Sequence, residues 1–364
     1  MDAIQFLNLI QQGTNTKGLK WCKEYQDWLT DDLIKSIGIS DVKKISGSIS
    51  ATLDELNSYP LPTRYESMLH YPLLFNLLQE LYEIKDVALD NCFFEDLNLN
   101  IPLPVIGTAD LRKINAYAKP DYNLIIVDRS LVFFLSNIVT LVVALVTTKQ
   151  SEKMVIQPSK LDINTLIKRI SGNLEICRQF TEIICAYVLF YSTWAFERYH
   201  LGNEDQVVWS ETISRETLRF VVGHEFAHIL FQDKVSTPDI EQRADWIGAY
   251  LCAVSIYQHD DLRQLDIYWS MAITAKALDI LEECRKIFDL GNSSHPTNRI
   301  YTIKKVLKKV KADPYALEMV DVVHRVFILL WHTVKNAVVG ISNAWNHNEI
   351  QTIDDVKSII SYLK

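Results

Sequence analysis

The sequence carries no excess of basic residues. Its formal net charge is −8 over 364 residues, with a pI of about 5.6, so the overall balance argues against a nucleic-acid surface. It has no CxxC pair. Its six cysteines, at positions 22, 92, 177, 185, 252 and 284, are scattered. That suits buried thiols in a reducing compartment better than a disulfide framework. The start, Met1-Asp2-Ala3-Ile4-Gln5, lacks a basic n-region and a sustained apolar stretch. No signal peptide is therefore expected, and the cytoplasm is the expected location. Nor does any apolar run reach the roughly 20 residues that cross a bilayer comfortably. Leu131 to Val146 is broken by Ser136, Asn137 and Thr140, and Phe180 to Phe196 carries Glu182, Tyr187, Tyr191, Ser192 and Thr193. Both read as buried core helices, with a membrane hairpin as the alternative. Internal repeats and low-complexity segments are absent.

What is present suffices for a large core. Hydrophobic residues make up 48% and charged residues 23%, the proportions of an ordinary globular protein. The length suits two domains, or one large domain with an elaborated flank.

The chemistry concentrates between Glu216 and Tyr250. Within Thr217 to Leu230, His224 and His228 are four apart, so on a helix both imidazoles leave one face, one turn apart. Two ring nitrogens so placed can reach one Zn²⁺ at about 2.0–2.1 Å. Glu225, beside the first histidine, is placed to act as general base on a zinc-bound water. Leu218, Val221, Val222, Ile229 and Leu230 cover the buried sides, and Gly223 suggests a close approach by a neighbouring backbone. After a polar loop with Pro238 comes Glu241-Gln242-Arg243-Ala244-Asp245. Glu241 and Asp245 share one helical face. Glu241 would complete a His₂Glu set with a fourth position left for water, and Asp245 could accept the free N–H of a ligand histidine.

This stretch resembles the gluzincin metallopeptidases, whose pattern is HExxH followed by ExxAD on the next helix. It is similar to HtpX-like and CAAX-prenyl-protease-type enzymes and to phage-exclusion Lit-type peptidases. The resemblance implies that His224, His228 and Glu241 hold zinc, that Glu225 is the base and that Asp245 supports a ligand. It also implies a substrate of protein or peptide. Upstream, Leu111 to Ala118 and Tyr122 to Val127 are short β-like runs around the turn signal Lys119-Pro120-Asp121. By resemblance, Asn115-Ala116-Tyr117-Ala118 matches the hairpin beside the zinc, where Asn115, Ala116 and Tyr117 would form an edge strand holding an extended peptide. The bland alternative is a hairpin without substrate contact. Downstream, Ser293 to Ile300 resembles the His-Pro segment of the HtpX-like enzymes, although the four-residue spacing from His295 to Arg299 is short for it. Either residue could stabilise an oxyanion. Equally, His295 and Pro296 could cap the next helix while Arg299 pairs with a carboxylate.

The expected fold is α+β and mostly α: a zincin-like core with a small sheet or hairpin and the HExxH helix, elaborated by extra helices. Residues 1–95 read as a helical N-terminal region, with helical spacing in Trp21 to Ile37 and Tyr65 to Ile84, and as a surface on which a regulatory partner could dock. Residues 96–364 read as the gluzincin-like domain, with an extended stretch at Ile101 to Gly107. Its helical insertion at about 130–210 has helices near 131–147, 161–172 and 174–198. Leu262 to Leu290, capped by Gly291, Met319 to Trp345 and Thr352 to Leu363 are further helices. His324 and His332 read as core or boundary histidines. Lys304, Lys305, Lys308, Lys309 and Lys311 read as a solvated face. Tyr250 is either a donor near the site or core.

The functional expectation is a zinc endopeptidase, with a form gated by a partner or by a signal such as phage or stress among its variants. One alternative is a regulatory protein with a structural zinc site, for which a fourth ligand is missing. The other is a membrane-associated quality-control peptidase.

Overall fold

A helix that is apolar on every side has to be covered on every side, and the run from Leu131 to Val146 is. The computed structural model describes residues 1–15, 60–67, 70–90, 94, 96–111, 116–150, 153–155, 161–191, 199–202, 204–255, 261–290 and 298–362. Trp21 to Ile37, Cys22, Cys92, Asn115, Gly291, His295 and Pro296 lie outside the described residues.

In chain order the elements begin with α1 (Ala3–Gly13), α2 (His70–Leu89), β1 (Val105–Ala109), β2 (Ala116–Lys119) and β3 (Leu124–Asp128). There follow α3 (Arg129–Val146), β4 (Thr148–Gln150), β5 (Lys153–Val155), α4 (Ile163–Ser171) and α5 (Leu174–Phe190). Then come α6 (Glu204–Phe231), α7 (Pro238–Ser255), α8 (Asp261–Ile287), α9 (Arg299–Lys309), α10 (Pro314–Asn346) and α11 (Ile353–Tyr362). The fold is thus mostly helical with a small three-stranded sheet.

The sheet has the order β1-β3-β2. β1 runs parallel to β3, and β2 runs antiparallel to it with Tyr117 opposite Ile126. The expected hairpin forms, but its turn is a short 3-10 helix over Pro120–Tyr122, closed by Asn123 in the left-handed region at φ 49°, a conformation asparagine tolerates. β3 is buried along its whole length. Among the described residues β2 is an edge strand, paired on one side only.

Asp128 ends β3 and caps α3, its carboxylate accepting the Ser130 N–H. Of the described helices, α3 alone has the length and composition to cross a membrane, and 89% of it is buried inside the protein. The described part of the second apolar run is also core: α5 is buried from Thr181 to Leu189. It stops at Phe190, earlier than the spacing predicts, because Tyr191 takes the left-handed conformation at φ 53° and donates its N–H to the Tyr187 carbonyl. Between α3 and α4 the chain also makes a small hairpin, β4 with β5, in a stretch that the sequence reading leaves unassigned between two helices.

The N-terminal elements pack directly on the sheet and on the motif helix. α1 lies on β1 and β3, and α2 lies on α6, α7 and β1. Two buried polar networks fasten them. The Glu66 carboxylate accepts the Thr108 N–H at 3.0 Å and the Gln11 amide at 3.0 Å, so it satisfies the free edge of β1. Arg129 donates to Thr108 Oγ1 and to the Tyr65 carbonyl. On the other side, buried Arg219 of α6 pairs with Glu216 and with Glu80 of α2 at 2.5 and 2.6 Å. Buried ion pairs of this kind are costly to break singly.

Cys177, Cys185, Cys252 and Cys284 are buried free thiols. Among the remaining expectations, Lys305, Lys308, Lys309 and Lys311 are exposed. His324 is half-buried, whereas His332 is exposed rather than core. α11 opens as expected at Thr352, whose N–H is accepted by Asp355 while its hydroxyl accepts the Asp355 N–H.

Candidate metal centre

The site begins with two glycines. A Cβ on Gly248 would lie 2.7 Å from the His224 nitrogen and 2.9 Å from the Gly223 carbonyl carbon. α6 and α7 therefore cross in backbone contact, the close approach that Gly223 suggested. The contact sets the residues following Gly223 against those preceding Gly248. His224 and Asp245 then meet, with His224 Nδ1 2.8 Å from Asp245 Oδ1.

α7 starts after Thr237, with Pro238 in its first turn and Asp239 and Glu241 among the acidic residues there. Acidic side chains at that end suit the helix dipole. Glu241 and Asp245, one turn apart, face α6 together. Glu241 Oε2 is 3.2 Å from His224 Nε2, and Glu241 Oε1 is 3.8 Å from His228 Nε2. The two Nε2 atoms are 3.2 Å apart. The ligand atoms of His224, His228 and Glu241 all lie within 4.8 Å of one another, and no fourth His, Cys, Asp or Glu joins this group among the described residues.

These atoms suit a divalent cation. Bonds of about 2.0–2.1 Å in a tetrahedron put ligand atoms ~3.3 Å apart, close to the spacings found. The protonation of the site carries the same message. Burial alone would push His224 down, but its hydrogen bonds to Asp245 and Glu241 and the nearby carboxylates lift it to about 10. In the metal-free site a proton thus supplies the positive charge that the carboxylates demand, and a metal ion would displace it. Asp245 is held below its ordinary range: burial opposes this, but the Arg299 and His224 cations prevail.

Glu225 points to the same place from the other side. Burial raises its carboxyl, partly offset by the two histidines and by a hydrogen bond from the Ala118 N–H of β2. The motif glutamate and the edge strand are therefore in direct contact. A cavity of about 20 Å³ adjoins them, with His224, Glu225 and Arg299 on its polar side and Ala116, Leu131 and Leu278 among its apolar walls. It holds about one water molecule. Of His224, Glu225, His228, Glu241 and Asp245, the most exposed is His224, at only 9%.

Of the remaining expected residues, Arg299 is buried with Nε 3.4 Å from Asp245 Oδ2. The carboxylate-pairing alternative thus describes its contact, and it also lines the cavity. Ala116 lines the cavity from β2, while Tyr117 is half-buried on the same strand. Tyr250 does not face the site. It stacks on Trp246 with centroids 5.0 Å apart, and Lys309 lies over both rings.

Sequence reasoning missed three participants. Ser236 donates to Glu241 Oε1 at 2.6 Å. Asp233 Oδ2 lies 3.0 Å from His228 Nδ1. Arg243 donates to Asp233 Oδ1 at 2.5 Å. The signal for Asp233 lay in the helix end. Gln232 is left-handed at φ 56°, and the Asp233 N–H reaches the His228 carbonyl at 3.0 Å while Gln232 N–H reaches Ile229. This paired closure is a Schellman motif, and it returns residue 233 to the histidine five positions earlier.

Compared with family models, with curated proteins and with solved structures, the chain matches none.

Proposed function

We propose that the chain is a zinc-dependent endopeptidase of gluzincin type, acting on a protein or peptide. The observation that carries this reading is the convergence of His224, His228 and Glu241 around one point, with Glu225 and the β2 edge beside it. His224, His228 and Glu241 would hold the ion, and Asp245 would fix the His224 tautomer. Bound zinc would polarise the scissile carbonyl and make water a better nucleophile near neutral pH. Glu225 takes the proton of the attacking water and delivers it to the leaving amine, and its burial keeps its carboxyl basic enough for both steps. An extended peptide would lie along β2, as the edge position of that strand permits. Arg299, on the cavity wall, is the cation available to a developing oxyanion.

The peptidase would be gated. The small size of the cavity beside Glu225, about 20 Å³, supports an opening step that a partner or a cellular signal could provide. A purely structural metal site has less support, since closed sites use four protein ligands and the group offers three among the described residues. Burial of α3 likewise favours a non-membrane form.

The test is metal content together with hydrolysis of an unfolded protein such as casein. Wild type should bind about one zinc per chain, Glu241→Ala should bind weakly, and Glu225→Gln should keep the metal while losing hydrolysis. A folded wild type that takes up no metal when zinc is supplied overturns the reading.

A further inference from the structure

The sequence motif accounts for one of the two ligand histidines. His224 is oriented by Asp245, which in turn is paired with Arg299. His228 has an equivalent arrangement built from residues outside the motif. We propose that Asp233 and Arg243 are positioning residues for the metal centre, setting the tautomer and the aim of His228. This rests on the proposed metal site.

Four observations carry it. Asp233 grips His228 twice: its backbone N–H binds the His228 carbonyl and its carboxylate faces the His228 ring, both at 3.0 Å. The Asp233 side chain is 7% exposed, and Arg243 neutralises it from 2.5 Å. Arg243 in turn lies over the Phe231 ring, its guanidinium carbon 3.8 Å from the centroid. Finally, with Nδ1 facing a carboxylate, the ring carries its proton there, which leaves the Nε2 lone pair free and aimed towards Glu241 and His224.

Together these contacts make α7 the common carrier of the whole centre. It supplies Glu241 directly, holds His224 through Asp245, and holds His228 through Arg243 and Asp233. Any shift of α7 along α6 would disturb all three ligands at once.

The test uses the full chain and Zn²⁺ itself. Zinc affinity is measured by competition with a chromophoric chelator for wild type, Asp233→Ala, Arg243→Ala and Arg243→Lys. The melting temperature of each metal-free form is measured in parallel, as is the visible spectrum of the Co²⁺ form. Asp233→Ala should weaken zinc binding about 10–100-fold, the range for partners of ligand histidines. Arg243→Ala should weaken it on the order of tenfold and alter the Co²⁺ spectrum. Arg243→Lys, which keeps the charge, should recover most of the affinity. Should Asp233→Ala fail to fold, Asp233→Asn replaces it. Variants with wild-type affinity and an unchanged Co²⁺ spectrum overturn the inference, even if their metal-free forms melt lower, because the role is then structural only. If wild type binds no zinc, the proposed function fails and this inference falls with it.

Discussion

Gly223 and Gly248 touch through their backbones, and that contact sets the distance between the two helices of the candidate centre. Each glycine is on the inner face of its helix, but they are not equivalent. A methyl group on Gly223 would meet the Gly248 oxygen and Cα at 3.2 and 3.3 Å, whereas one on Gly248 would meet His224 and Gly223 backbone atoms at 2.7 and 2.9 Å. Backbone atoms cannot rotate aside. In an open helix, glycine to alanine gains about 1 kcal/mol, and overpacking costs about 1–3 kcal/mol. Gly248→Ala should therefore lower stability by up to about 2 kcal/mol and reduce zinc affinity, because Glu241 and Asp245 move with α7. Gly223→Ala should be milder in both respects. Urea unfolding with a chelator present, beside chelator competition, checks the ranking, and equal effects would contradict the asymmetry.

The β2 edge offers a test that separates chemistry from folding. Ala118 donates its N–H to Glu225; the N–H groups of an edge strand alternate between the partner strand and the open side, so one turned to α6 leaves no ladder bond for proline to remove, the circumstance in which an edge strand accepts it. What it does remove is a hydrogen bond to a carboxylate, worth about 1.5–3 kcal/mol. Ala118→Pro should keep its zinc and its far-ultraviolet circular dichroism. Its kcat/KM should fall on the order of ten- to a hundredfold, the same energy expressed as a rate. Unchanged hydrolysis would mean that neither the Ala118 amide nor the strand edge takes part.

How far the sequence disclosed the centre follows from the range of each interaction. His224, Glu225 and His228 were legible because a four-residue spacing on one helix decides which face they share. Glu241 and Asp245 were legible for the same reason on the next helix, and Gly223 because a glycine inside an apolar helix calls for a close neighbour. The β2–β3 hairpin was legible from its turn residues. Illegible were the features set by left-handed residues that are not glycine. Tyr191 ends α5 and Gln232 ends α6 in that conformation, and neither residue type announces it. Because the end of α6 was not placed, Asp233 could not be assigned to His228, nor Arg243 to Asp233. Glu66 and Thr108 are 42 residues apart, and no local pattern joins them.

Buried His70 gives the chain a pH dependence independent of the metal. Its Nδ1 has no hydrogen-bond partner among the described residues, and its ring packs edge-on against Phe133 at 5.2 Å. Burial, assisted by the Arg129 cation, pushes its pKa down to about 3. Arg129 is itself balanced by Asp110, Glu66 and Asp128. In the unfolded chain the imidazole titrates near 6.5. Between those values the unfolded state binds the extra proton, so stability is full above pH 6.5 and falls as the pH drops towards 3. The slope from this one group is about 1.4 kcal/mol per pH unit, or about 2 kcal/mol lost by pH 5. His70→Phe keeps the packing against Phe133 and has nothing to protonate. It should cost little at pH 7.5 and should flatten the acid limb of the stability curve. Carboxylates that titrate in the same range do so in both proteins and cancel in the difference. Urea unfolding of wild type and variant at pH 5.0 and 7.5 measures that difference, and parallel losses in the two proteins would show that His70 is protonated in the folded chain.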